Sequence, residues 1–189
     1  MPQLIFFLEE RSAKEMLTHL IPRLIPEDWE KSLFITFEGK TDLDKSICQK
    51  LKGWKRPNTK LIILRDKDSG DCKLIRQDLV QKCLVAEKPD TLVRIAIHEL
   101  ESWYLGDLAA VEKAFEIKGA GALQKKSKFR DPDKLANAAQ ELKNLTDQRY
   151  QKVKGSRVIG HHLSLTENQS TSYLKFISGI QRLISEEES

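Results

Sequence analysis

Four short apolar runs constrain this chain more than any other feature: QLIFFL (3–8), SLFITF (32–37), KLIILR (60–65) and TLVRIAI (91–97). Each is nearly continuous in its hydrophobicity rather than alternating, as expected of strands buried on both faces. Between them lie segments with helical spacing. SAKEMLTHLIPRLI (12–25) sets Met16, Leu17, Leu20, Ile21 and Leu24 on one stripe behind a serine suited to capping, with Pro22 placed to shorten or kink it. DLDKSICQKLKGW (42–54) reads as a second helix, and CKLIRQDLVQKCLV (72–85) as a third. This alternation predicts an α/β fold, a mainly parallel sheet flanked by helices. Right-handed crossovers then bring the C-terminal ends of all the strands to one edge, where ligands of open α/β sheets bind.

That edge is acidic. Glu9 and Glu10 follow the first strand, Glu38 the second, Asp66, Asp68 and Asp71 the third, and Glu99 and Glu101 the fourth. Carboxylates crowded at the ends of buried strands repel one another, so either water screens them or a cation neutralises them. Asp66 and Asp68, at i and i+2, face one way if strand geometry continues. Mg²⁺ suits such a pair, because it takes one or two carboxylates and keeps waters and substrate phosphates as its other ligands. The stretch LIILRDKDSGDC (61–72) also admits a plainer reading, since DSGD is good turn chemistry that water alone satisfies.

The other acids differ in standing. Glu9 is expected at the sheet edge, with Glu10 pointing away from it. Glu38 reads as structural, within FEGKTD, where Gly39 permits a tight turn and Asp42 can cap the next helix. Glu99 and Glu101 share a face if HELESWYLGD (98–107) stays extended, and splay by about 200° if a helix has begun, so one ligand rather than two is expected. His98 reads either as a proton shuttle or as a hydrogen-bonded structural residue. Trp103 and Tyr104 read as packing over the sheet.

Beyond residue 105 the pattern is helical, with helices expected over 107–117, over 131–145 (Asp131 as cap, Pro132 at the first position) and over 172–184, then a frayed tail SEEES. The net charge of +4 is unevenly spread: from Lys118 to Arg157 there are eleven Lys or Arg against four acids. Lys126, Lys128 and Arg130 in QKKSKFR, and Lys152, Lys154 and Arg157 in YQKVKGSR, are candidate phosphate contacts, with Phe129 and Tyr150 as stacking groups. Solvated Lys-rich helix faces are the competing reading. GSR (155–157), taken as a helix start, would present amides to an anion, and Arg157 would add bidentate recognition. His161 and His162 are adjacent, face different ways and make no ready metal pair. An acidic centre beside a basic surface suits metal chemistry on a polyanion.

Composition narrows the remaining classes. Three cysteines, odd in number and without CxxC spacing, favour reduced thiols over a disulfide framework or zinc knuckle. The LIFFL run is too short for a signal peptide and no stretch approaches a membrane span, so a cytoplasmic protein is expected. A length of 189 residues with 40% hydrophobic content fits an α/β core over 1–107 and a helical, basic extension over 108–189 packed on it, or one single domain. The GxGxxG, GxxxxGK[ST] and GxSxG fingerprints are absent. The aspartates beside Cys72 disfavour its thiolate, which makes it a poor nucleophile.

A glutamate after the first strand and a D-x-D after the third resemble the Toprim domain of topoisomerases, primases and OLD-family nucleases. More closely, FLEERSAKEML, FEGKTDLDKSI, LRDKDSGDC, RIAIHELESWYLGD, KFRDPDKL and KVKGSRVIGHHL with NQSTSYLKF together resemble a bacterial family of small Toprim-like proteins. Its members are often encoded beside ABC- or AAA-type ATPases in arrangements associated with phage defence. The resemblance implies a Toprim-like, Rossmannoid fold in which Glu9, Asp66 and Asp68 form the catalytic and metal-binding set, with Glu9 as ligand or general acid/base. In two places the chain departs from Toprim. Glu10 stands where Toprim domains have glycine, and Asp71 is an extra candidate ligand. Glu99 or Glu101 would complete a second metal site. The implied function is Mg²⁺- or Mn²⁺-dependent cleavage of nucleic acid, DNA ranked ahead of RNA with both open, under the control of an ATPase partner and with a homodimer open. The alternatives are a non-catalytic adaptor that binds the ATPase and an enzyme acting on a small phosphorylated molecule.

Overall fold

The computed structural model describes residues 2–27 and 29–185. Its sheet has four parallel strands, β1 (Gln3–Leu8), β2 (Leu33–Thr36), β3 (Thr59–Asp66) and β4 (Leu92–Ala96), in the order β2-β1-β3-β4. Register sets Leu8 beside Leu64 and Asp66 beside Ala96, so the strand ends align along one edge. Helix α1 (Arg11–Leu24) leads from β1 out to β2. The chain then returns through α2 (Lys40–Gly53) to β3, on the other side of β1, and continues through α3 (Cys72–Val85) to β4. The direction of winding reverses between β1 and β3, and an open α/β sheet forms its ligand crevice at such a switch point.

Alternation along β1 divides the core. Leu4, Phe6 and Leu8 face α1 and the C-terminal helices, while Ile5 and Phe7 face α2 and α3. Met16, Leu17, Leu20 and Ile21 of α1 are fully buried in the first cluster. Each such side chain contributes about 1.5–3 kcal/mol, enough to carry α1 past Pro22 to Leu24 despite the missing N–H. The second half adds α4 (Glu101–Leu105), α5 (Leu108–Phe115), α6 (Ala138–Leu145), α7 (Lys152–Gly160) and α8 (Thr171–Ser185) to the α1 face. Helix α7 lies close against α1, because a Cβ at Gly160 would come within 2.7 Å of the Met16 carbonyl oxygen. Trp103 and Tyr104 are buried in this layer, and the Trp103 indole donates to Ser172 Oγ at 2.8 Å.

Several local expectations change: Ser12 lies inside α1 and does not cap it, and α2 starts at Lys40, ahead of Asp42. The helix expected over 131–145 divides into a short 3₁₀ turn (Pro132–Lys134) and α6. The Asp133 carboxylate accepts from Ser170 Oγ and from the Ser172 amide and hydroxyl, and this tether to the start of α8 accompanies the break. Asp131 makes no side-chain cap bond. Gly155, Ser156 and Arg157 lie inside α7, not at its start. The acidic tail expected after Ser185 lies outside the described residues. The three cysteines are free, and among the described residues no helix is long and apolar enough to cross a membrane.

Candidate acidic site at the sheet edge

Glu9 leaves the end of β1 and reaches across to β3, where its Oε2 accepts the Asp66 amide at 3.0 Å. Burial raises its proton affinity; the Asp66 amide bond opposes this and the Asp68 charge reinforces it. Asp66, the last residue of β3, is buried. Burial first, then the charges of Glu9, Glu101 and Glu10, push its carboxyl well above the usual range. Carboxylates in such surroundings are costly to ionise unless a cation joins them.

Glu101 comes from the first turn of α4 and is 1% exposed. Its Oε1 accepts the Tyr150 hydroxyl at 2.7 Å, while its buried Oε2 has no partner. Burial raises its proton affinity, and the Tyr150 bond and Lys152 charge only partly offset that. Glu10, placed by the sequence as pointing away, remains in this network. Its Oε1 accepts from Lys152 Nζ at 2.6 Å and from Ser12 Oγ at 2.7 Å, and its charge acts on both Glu9 and Asp66. Burial works against the Lys152 ammonium, but the bond to Glu10 and the charges of Glu101 and Asp66 outweigh it and hold the lysine protonated.

The remaining candidates sit elsewhere. Strand geometry stops at Asp66, and Asp68 has a left-handed backbone (φ 51°), with its amide donating to the His98 carbonyl and Oδ2 paired to Lys40 Nζ at 2.7 Å. Asp71 caps α3: its Oδ1 accepts the amides of Lys73 at 2.7 Å and Leu74 at 3.2 Å. Glu99 Oε1 accepts the Ala139 amide at 2.6 Å, in the first turn of α6. The edge thus gathers Glu9, Asp66 and Glu101, with Glu10 and Lys152 beside them and Asp68 within reach of Glu9's charge. Among the described residues, no three His, Cys, Asp or Glu side chains converge into a ready metal cage. Two features are nevertheless ones that a hard divalent ion would satisfy: Glu101 Oε2 is buried without a partner and Asp66 lies among like charges.

The basic residues fall into two places. Lys152, Lys154 and Arg157 share an open depression with Arg11 of α1, beside the acidic edge. Arg157 is also held by Glu15, with Nε and Nη2 at 2.8 and 2.7 Å from Oε2. Lys126, Lys128 and Arg130 lie on the connection before α6, where Lys128 pairs with Glu141 at 2.6 Å and Arg130 donates to the Lys125 carbonyl. The stacking roles expected of Phe129 and Tyr150 do not hold, since both side chains are buried. Nor does GSR form an anion cradle. The Gly155 amide donates to the Gln151 carbonyl, Ser156 is buried, and a Cβ at Gly155 would meet the Tyr150 ring at 2.3 Å. The glycine admits Tyr150, and Tyr150 orients Glu101. Sequence reasoning missed that link. The only signal for it was a tyrosine shortly before a glycine on the next helix.

The solved structure of the C-terminal region of the Burkholderia pseudomallei OLD protein is similar to this chain. Its TM-score is 0.56 at 17% identity, over 97% of this chain and 99% of that one. The C-terminal region of the Xanthomonas campestris pv. campestris OLD protein is also similar, at TM-score 0.53 and 18% identity over 99% and 98%. At such identities the likeness establishes a shared fold. No curated protein matches the sequence. Residues 8–181 match the family described as Domain of unknown function (DUF4276), and the chain belongs to that family.

Proposed function

We propose that the protein is a divalent-metal-dependent nuclease that hydrolyses phosphodiester bonds at the C-terminal edge of its sheet. The observation that carries this reading is Asp66, buried at the β1/β3 switch point among the charges of Glu9, Glu101 and Glu10 with only Lys152 opposing them, and beside it the unpartnered Glu101 Oε2. The fold shared with the OLD C-terminal regions supports it. Asp66 and Glu101 Oε2 would hold Mg²⁺ or Mn²⁺, with Asp68 the nearest further carboxylate once released from Lys40, while Asp71 and Glu99, each already engaged by backbone amides, stand outside this set. When bound, such a cation supplies Lewis-acid polarisation of a phosphoryl group.

The chain's own residues divide the remaining work. Glu9, oriented by the Asp66 amide and with raised proton affinity, accepts a proton from an attacking water and returns it to the leaving oxygen. Lys152 places a persistent positive charge beside the carboxylates, where a phosphate would otherwise be repelled. Arg11, Lys154 and Arg157 would hold the flanking backbone in the open depression, and Lys126, Lys128 and Arg130, on the connection before α6, would form a second, separate set of phosphate contacts. The reading extends to a DNA substrate, to an ABC- or AAA-type ATPase that gates cleavage in phage defence, and to a homodimer.

Titration of Mn²⁺ by calorimetry, followed by cleavage assays on DNA and RNA, tests the proposal with wild type beside Asp66→Asn. Wild type is expected to bind and cleave, and the variant to do neither. Wild-type protein that binds no Mn²⁺ even with oligonucleotide present would overturn the proposal.

A second reading has its own observation. Lys40 neutralises Asp68, Lys152 neutralises Glu10, and among the described residues no three carboxylates converge into a metal cage. A chain that keeps the fold and contacts an ATPase without cutting would need no more than that. It predicts that Asp66→Asn leaves complex formation and biological effect intact.

A further inference from the structure

On the far side of β4 from β3, a groove of about 430 Å³ opens between α3 and α8. Its floor is apolar, made by Val93, Ile95 and Ile97 of the edge strand and the residue that follows it. Its walls are cationic: Lys73 and Arg76 from α3, Lys175 and Arg182 from α8, and Arg94 rising from the floor. Among the described residues one carboxylate, Asp133, lines the groove, and its two oxygens are engaged by Ser170 and Ser172. The basic residues singled out in the sequence, from Lys126 to Arg157, are absent from it.

Arg94 shows that this cluster is built rather than incidental. It is half-buried, with Nε donating to the Lys175 carbonyl at 3.0 Å and Nη1 to the Val93 carbonyl at 3.1 Å. A Cβ at Gly179 would come within 2.6 Å of Nη2, so α8 carries a glycine where the guanidinium crosses it. Burial, then the charges of Arg182 and Arg76, lower its hold on its proton. A guanidinium fixed by carbonyls among like charges is the mirror image of Asp66, and an anion would offset it as a cation offsets the aspartate.

We propose that the α3–β4–α8 groove binds a phosphorylated ligand of nucleotide size, with Arg76, Arg94 and Lys175 on the phosphate and the apolar floor under the base or sugar. Arginine forks match phosphate oxygens bidentately, and a volume of this order suits a small ligand rather than an ion. The phosphate could belong to a free nucleotide or to an oligonucleotide backbone. Binding here requires neither metal nor the carboxylates of the opposite edge, so it stands independently of nuclease activity.

The test is fluorescence anisotropy in EDTA with two probes, a fluorescent adenosine triphosphate analogue and a labelled single-stranded oligothymidine. Arg76 and Lys175 are exposed, so Arg76→Glu/Lys175→Glu should fold. It is expected to weaken at least one probe by about ten-fold or more and to flatten the salt dependence. Lys50→Glu/Lys52→Glu, the same charge change on exposed residues of α2, is expected to leave both probes unaffected. Loss of the nucleotide alone identifies a nucleotide pocket, and loss of both identifies a backbone contact. Equal weakening by the two charge reversals, or no binding of either probe to wild type, would overturn the proposal. So would displacement by polyglutamate but not by oligothymidine, which would mark an acidic protein segment as the occupant.

Discussion

Asp66 closes β3 and Asp71 opens α3, on either side of one connection, and their surroundings are opposite. Asp71 is exposed, and the Lys73 amide, then the Leu74 amide, hold its carboxyl below the usual range. Asp66 is buried among Glu9, Glu101 and Glu10, and its carboxyl is pushed well above that range. The fold stabilises one charge and is stabilised by it, while it destabilises the other. Lys40 on Asp68 and the Ala139 amide on Glu99 belong with the first kind. Spacing in the sequence could not separate these carboxylates. What separates them is whether the fold supplies donors enough to outweigh burial, and those for which it does not are the residues available to a ligand.

The largest test of that contrast is Asp66→Asn, which keeps the shape and removes the charge. Metal-dependent cleavage is expected to fall by about 100-fold or more, while the metal-free protein becomes more heat-stable at neutral pH. The sign follows from the raised carboxyl. Its contribution to stability is fully present below the unfolded value, near 3.8, and is lost as pH rises through the higher folded value. Wild-type melting temperature should therefore carry a decline with rising pH that the asparagine variant lacks. Added Mn²⁺ should restore wild type and leave the variant unmoved. Identical melting profiles against pH would show that Asp66 is not a strained charge.

Tyr150→Phe probes the next layer. Its hydroxyl holds Glu101 Oε1 and leaves Oε2 unpartnered. Without that bond Glu101 loses its orientation, and Mn²⁺ affinity measured by calorimetry is expected to drop about ten-fold, with the ring's packing retained. Unchanged affinity would reduce Tyr150 to a packing residue and leave Glu101 outside the site.

How much of this was legible in the sequence depended on the range of the interaction. The β1, β3 and β4 runs were evident because unbroken apolar runs report burial on both faces, and the carboxylates followed from where parallel strands end. The left-handed turn at Asp68, which ends the i, i+2 alignment with Asp66, was not, since aspartate tolerates that backbone without requiring it. The break before α6 depends on Asp133 meeting Ser170 and Ser172, and Tyr150 reaches Glu101 across 49 positions. The first leaves no local trace, and the second only a tyrosine shortly before a glycine. The Arg94 groove was equally hidden, because its cations come two from α3, one from β4 and two from α8, spaced apart in the chain, and never form a basic run.

The two smallest effects decide how wide the acidic site is. Asp71→Ala removes the α3 cap and should lower the melting temperature by roughly 2–4 °C at neutral pH, without altering Mn²⁺ binding. Because the Asp71 carboxyl is depressed, its stabilisation is present above the ordinary value of 3.8 and lost as pH falls through the folded value, so the variant should converge on wild type in acid. Lys40→Ala removes only an exposed ion pair and should shift the melting temperature by less than about 1 °C. Its value lies in the metal titration. If Asp68 is compensated as Asp71 is, Mn²⁺ affinity stays where it was. If freeing Asp68 tightens Mn²⁺ binding, then Lys40 has been standing in for a cation, and Asp68 moves from the compensated group to the side of Asp66.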